Sequence, residues 1–97
     1  MKIRAVEANN HRKAFKVTAG ARTWWMPYAA TDTPPTPGDP VVALFVDPEL
    51  GREAFTYRLA SGAEDSVHMD HVLEFNRDPG YLAEVLLHRV TVEAADR

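Results

Sequence analysis

Residues 29–40, AATDTPPTPGDP, hold four prolines and one glycine and no large apolar side chain. Proline fixes φ and has no amide to give to a helix or an inner strand, so this segment is a surface loop or a polyproline-like connector. No regular element can run through this part of the chain. The loop does not separate domains, because in a chain of 97 residues neither flank is large enough to fold alone. The sequence is therefore read as one α+β domain over residues 1–97: a β-meander (1–28), the proline-rich loop (29–40), strands (41–69) and helices (70–97).

On the N-terminal side, residues 2–8 read as a first strand. Asn9-Asn10-His11 is a turn, because asparagine tolerates left-handed backbone and bonds its own main chain. In the next strand Phe15 and Val17 fall on one side, with Lys13 and Lys16 largely on the other. Ala19-Gly20 turns the chain into a β-rich run from Ala21 to Tyr28. On the other side of the loop, VVALFV (41–46) is a continuous apolar run of the length of a buried strand. Asp47-Pro48-Glu49-Leu50-Gly51 turns the chain. In AFTYRLA (54–60) Phe55, Tyr57 and Leu59 point inward while Thr56 and Arg58 point outward. Residues 61–64 form a hairpin loop, and Val67 and Met69 share one face of the returning strand.

Helix signals follow. Asp70 is a suitable N-cap for a short helix over 71–76 that sets Val72, Leu73 and Phe75 against the sheet and closes at Asn76. Asp78-Pro79 opens a longer helix over about 79–95, with Leu82, Leu86 and Val90 in an i, i+4, i+8 stripe. The expected fold is thus an antiparallel sheet of about five or six strands, covered by a short helix and a long C-terminal one.

Composition removes several functions. Hydrophobic content of 45% and charged content of 26% fit a globular chain rather than a disordered one. With no cysteine there is no disulfide framework, thiolate nucleophile or sulfur-rich zinc site. The N-terminus has no signal-peptide core, and no stretch approaches the ~20 apolar residues of a membrane span, so a cytoplasmic protein is expected. The net charge of −3 conceals an asymmetry: residues 1–28 carry six cations and one acid, and the rest carry five arginines and thirteen acids. The basic and acidic ends can meet each other or face different partners.

The basic end is also aromatic. HRKAFKVTAGARTWWMPY (11–28) interleaves cations with Phe15, Trp24, Trp25 and Tyr28. Adjacent tryptophans point to opposite faces of a strand, so both cannot be core in a one-sided sheet. One of them belongs in an interface, under the proline loop or in a groove. Phe15, Trp24, Trp25 and Tyr28 are therefore the candidate partner contacts, with Lys16 and Arg22 as electrostatic partners. A nucleic-acid reading of the same stretch, cations on phosphates and rings on bases, conflicts with the acidic net charge, and the stretch contains no recognised motif.

Chemistry has less support. His68, Asp70 and His71 are the alternative site, a metal centre of a metal-dependent enzyme. His68-Met69-Asp70-His71 resembles the end of the metallo-β-lactamase signature. That signature has another histidine where Ser66 stands here, and 97 residues cannot build that fold. Further ligands would have to come from His11, His88 or distant acids. His88 follows Glu84 by four residues, the spacing of a surface helical pair. Gly51, Gly62 and Gly80 are isolated, so no phosphate loop exists, and neither Ser61 nor Ser66 sits in a nucleophile elbow. The chain is read as a non-enzyme that needs no cofactor.

DPELGREAFTYRLASGAEDSVHMDHVLEFNRDPGYLAEVLLHRVTVEA (47–94) resembles a little-characterised group of bacterial proteins in which a β-then-helix domain is often followed by a helix-turn-helix module. The resemblance implies a sensory, dimerising or partner-binding role beside a transcription regulator, and it brings no catalytic residues. A weaker likeness to small β-rich domains paired with toxins implies an antitoxin-like alternative. Together with the aromatic end, the expectation is a protein-interaction or dimerisation domain, binding a protein partner or a second copy through an edge strand or the end of the long helix.

Overall fold

The structure, a computed structural model, describes residues 1–78. The elements run β1 (Ile3–Asn9), β2 (Ala14–Ala19), β3 (Arg22–Pro27), β4 (Val41–Val46), β5 (Ala54–Leu59), β6 (Glu64–His68) and α1 (Met69–Phe75), with 3₁₀ turns at Tyr28–Ala30 and Pro48–Leu50. The long helix expected over 79–95, with Glu84 and His88, lies outside the described residues.

Local chemistry accounts for the connections. The Asn9 side-chain oxygen accepts from the Arg12 amide at 2.9 Å, and Lys13 takes a left-handed φ of 53° to re-enter β2. Gly20, at φ 60°, supplies the left-handed residue of the two-residue hairpin between β2 and β3. Asp47 caps the second 3₁₀ turn by accepting from the Glu49 amide at 2.9 Å, and the turn ends on left-handed Gly51.

The strands form two separate three-stranded antiparallel sheets, ordered β1-β2-β3 and β4-β5-β6. This corrects the expected single sheet of five or six strands packed by two helices. β3 runs into a 3₁₀ turn and the proline-rich loop and does not pair with β4. Each sheet has one apolar face, and the two faces cover each other, a role the sequence reading gave to helices. The inner faces contribute Phe15, Val17, Trp24 and Met26 from the first sheet and Phe55, Tyr57, Leu59 and Val67 from the second, all in one buried cluster. Phe15 lies at its centre, its ring 4.8–4.9 Å from those of Tyr28, Phe55 and Tyr57. Ring pairs at such separations add to burial through quadrupole geometry.

Three local expectations also change. β4 is an edge strand, and Val42 and Phe45 are 56% and 46% exposed, so the apolar run is not a buried strand. A register shift at Val42 turns Val41, Leu44 and Val46 toward the core and leaves Phe45 outside. α1 starts two residues earlier than Asp70 would set it: His68 occupies the cap position without a side-chain cap bond, and Asp70 lies inside the first turn. The Met69 amide donates to the Glu53 carbonyl at 2.7 Å, a backbone contact that fixes this start. Met69, Val72 and Leu73 are buried, whereas Phe75 stays 46% exposed. Asn76 closes the helix, its amide nitrogen donating to the carbonyls of Val72 and Trp25 at 2.8 and 3.1 Å.

Candidate functional site

The six candidate contact residues divide between two faces of the first sheet. Phe15, Trp24 and Tyr28 are buried in the core. Trp25 and Lys16 are half-buried on the opposite, outer face, directly paired across β2 and β3, and Glu7 of β1 completes the row. Strand alternation produces this division: Trp24 pairs with Val17 inside, Trp25 with Lys16 outside. The Arg12 guanidinium lies 3.8 Å above the Trp25 ring centroid. A cation over an indole face is attracted by the ring quadrupole by about 0.5–1 kcal/mol when exposed. Arg22 turns away from this cluster, its guanidinium 5.1 Å from the Trp24 ring and 3.1 Å from the Asp78 carboxylate, where it ties β3 to the chain just past α1. Arg12, absent from the sequence-derived contact set, therefore takes the place beside the exposed tryptophan.

Behind the same hairpin lies a second feature. A groove of about 570 Å³ opens between the β1–β2 turn and the proline-rich loop. Asn10 and Lys13 form one rim, and Tyr28 and Ala29 the base. Thr36 and the prolines at 34, 35, 37 and 40 form the far wall. The wall is pinned at several points. The Tyr57 hydroxyl donates to the Thr33 carbonyl at 2.6 Å, and the Thr31 hydroxyl donates to the Tyr28 carbonyl at 2.7 Å. The Ala60 amide donates to the Pro40 carbonyl at 2.9 Å, and the Asp39 carboxylate accepts from Ser61 through amide and hydroxyl at 2.8 and 2.7 Å. The rim is held too: the Tyr28 amide donates to the Lys13 carbonyl at 2.9 Å, and the Tyr28 hydroxyl donates to the Asn10 side-chain oxygen at 2.8 Å. Sequence reasoning took Asn10 and the prolines as connectors. Their chemical signal was present, but the meeting of a turn with a loop some twenty residues on is a long-range contact that no local pattern states.

The alternative metal residues do not converge. His68, Asp70 and His71 are all exposed, and among the described residues no three His, Asp or Glu side chains are grouped to hold a metal ion. On α1, positions one apart diverge around the helix, so Asp70 and His71 point in different directions. His68 and Asp70 do border a hollow of about 120 Å³ with Met1, Glu53 and Met69, where the N-terminal ammonium sits 3.3 Å from the Glu53 carboxylate. Among the described residues no helix is long and apolar enough to cross a membrane.

Burial raises the phenol pKa of Tyr28 and pushes that of Tyr57 up to about 12, so both keep their protons and donate the bonds described above. Compared with known proteins, the chain matches no family model, no curated protein and no solved structure.

Proposed function

We propose that the chain is a non-enzymatic protein-interaction domain that self-associates through the outer face of its first sheet. The observation that carries this reading is Trp25, a large ring left half-buried beneath Arg12 and beside Lys16 while its neighbour Trp24 fills the core. A tryptophan with an arginine on its face combines the residue types enriched where interfaces concentrate their binding energy. The partner is a second copy because the chain carries its own complement: residues 29–78 hold ten acids against three arginines. A two-fold arrangement places each copy's basic face on the other's acidic half, so the contact closes on itself. Reading the cluster as a single-strand nucleic-acid platform is less well supported, since such platforms stack successive bases on several rings and, of Phe15, Trp24, Trp25 and Tyr28, only Trp25 lies outside the core.

Two tryptophan variants test the reading by light scattering and thermal unfolding. Trp25→Ala is expected to keep the fold and lose association, and association of the parent chain falls with added salt. Trp24→Ala, which leaves a hole in the core, is expected to cost about 3–5 kcal/mol of stability. A parent chain that is monomeric at every concentration, or a Trp25→Ala chain that associates as the parent does, overturns the proposal.

A further inference from the structure

The groove beside the β1–β2 turn has a chemistry of its own, independent of the Trp25 contact. Its volume of about 570 Å³ falls in the range of small-molecule sites, and its far wall is mostly proline. Its lining contains one cation, Lys13, and no acid. Lys13 is exposed, and among the described residues no carboxylate pairs with it. Asn10 has its side-chain oxygen occupied by the Tyr28 hydroxyl, which leaves its amide nitrogen, a donor, for the groove. The rim side chains therefore present an ammonium and an amide N–H against apolar walls. The hydrogen bonds from Tyr57, Thr31, Ala60 and Ser61 hold those walls in place, and the ring of each proline limits its backbone further. A preformed site loses little entropy when it is filled.

From this juxtaposition we infer that the groove is a binding site for a small organic carboxylate, its apolar body against the proline wall and its carboxylate on Lys13 and Asn10. Charge complementarity selects this occupant: a neutral apolar molecule leaves the rim donors unpaired, and a cation meets Lys13. Such a ligand would give the domain an effector site on the hairpin that also carries Arg12 and the Trp25 contact.

The test is a two-dimensional amide NMR titration of the full chain with hexanoate, decanoate, benzoate and 4-phenylbutyrate, each beside its primary amide. Prolines have no amide proton, so Asn10, Lys13, Ala29 and Thr36 report on the site. At least one carboxylate is expected to shift these four saturably in the millimolar range, and to bind about three- to tenfold tighter than its amide. Lys13→Gln erases that preference. Arg58→Gln, the same loss of charge on the outer face of the second sheet, leaves it intact. The inference is overturned if no carboxylate of the set moves these resonances, if acid and amide bind equally, or if Arg58→Gln weakens binding as much as Lys13→Gln. None of these results bears on the association measured by scattering.

Discussion

Tyr57 is fully buried, and its hydroxyl donates to the Thr33 carbonyl at 2.6 Å, with the Asp65 carboxylate alongside at 3.3 Å. Burial is the largest cause of its raised pKa; a hydrogen bond with Thr31 lowers it, and the nearby negative charge of Asp65 raises it again. The folded chain therefore holds this proton more tightly than the unfolded one. The resulting stability is fully present below the ordinary phenol value of 10.0 and is lost as pH climbs through about 12. A shift of this size corresponds to about 2–3 kcal/mol at most. Urea unfolding across the alkaline range should show the parent chain weakening between those two values and Tyr57→Phe weakening less. At neutral pH Tyr57→Phe is expected to cost about 1 kcal/mol, because the Thr33 carbonyl loses its donor. A parallel alkaline loss in both chains would assign the effect to other groups. At this scale the sequence was informative: Tyr57 was expected inward and adjacent tryptophans on opposite faces. The partners of Tyr57, in a loop and on another strand, were not, because hydrogen bonds between distant residues leave no periodicity.

Turns carry much of the order at the scale of elements. Asp47 accepts from the Glu49 amide at 2.9 Å and from the Thr56 hydroxyl at 2.7 Å, so one carboxylate both caps the 3₁₀ turn and clamps it to β5. Thr56 is itself buried, and its hydroxyl also bonds Ser66 of β6 at 2.7 Å. Asp47→Ala is expected to lower stability by about 1–2 kcal/mol, from loss of the cap and of one charge-assisted bond. Thr56→Val should cost a comparable amount, and the double variant less than the sum, since each change removes the bond they share. Additive losses in denaturant unfolding would show that the two groups act independently. The Asp-Pro turn with its glycine was readable because its chemistry is local, as was the Asn9 turn. The opposite holds for VVALFV: an apolar run fits an inner strand and an edge strand equally, and only the ladder beside it decides. Asp70 failed as a cap for a related reason. A suitable acid stood next to the true boundary, but the Met69 bond to the Glu53 carbonyl set where β6 ends and α1 begins.

For the molecule as a whole, alternation specifies that each strand has one apolar face, but not what covers it. One sheet under helices and two sheets against each other put the same residues inside, so the predicted core residues Phe55, Tyr57 and Leu59 are found there although the sheet was drawn wrongly. The difference lies in whether β3 pairs with β4, and the proline-rich loop between them holds the strands apart. The two sheets share no strand ladder, so apart from a backbone bond from the Ile3 amide to the Arg52 carbonyl at 2.7 Å their union rests largely on side chains, above all the ring of Phe15 against Phe55 and Tyr57. Truncating that ring should therefore act on both sheets at once. Phe15→Ala removes a fully buried aromatic and is expected to cost about 3–5 kcal/mol. Hydrogen exchange is the discriminating measurement, because it reads each strand separately. If the sheets unfold as one unit, the amides of β5 lose as much protection as those of β2, although the substitution lies on β2 alone. If β5 keeps its protection while β2 loses it, the interface between the sheets is weaker than the ladders within them, and the fold consists of two cooperative units rather than one.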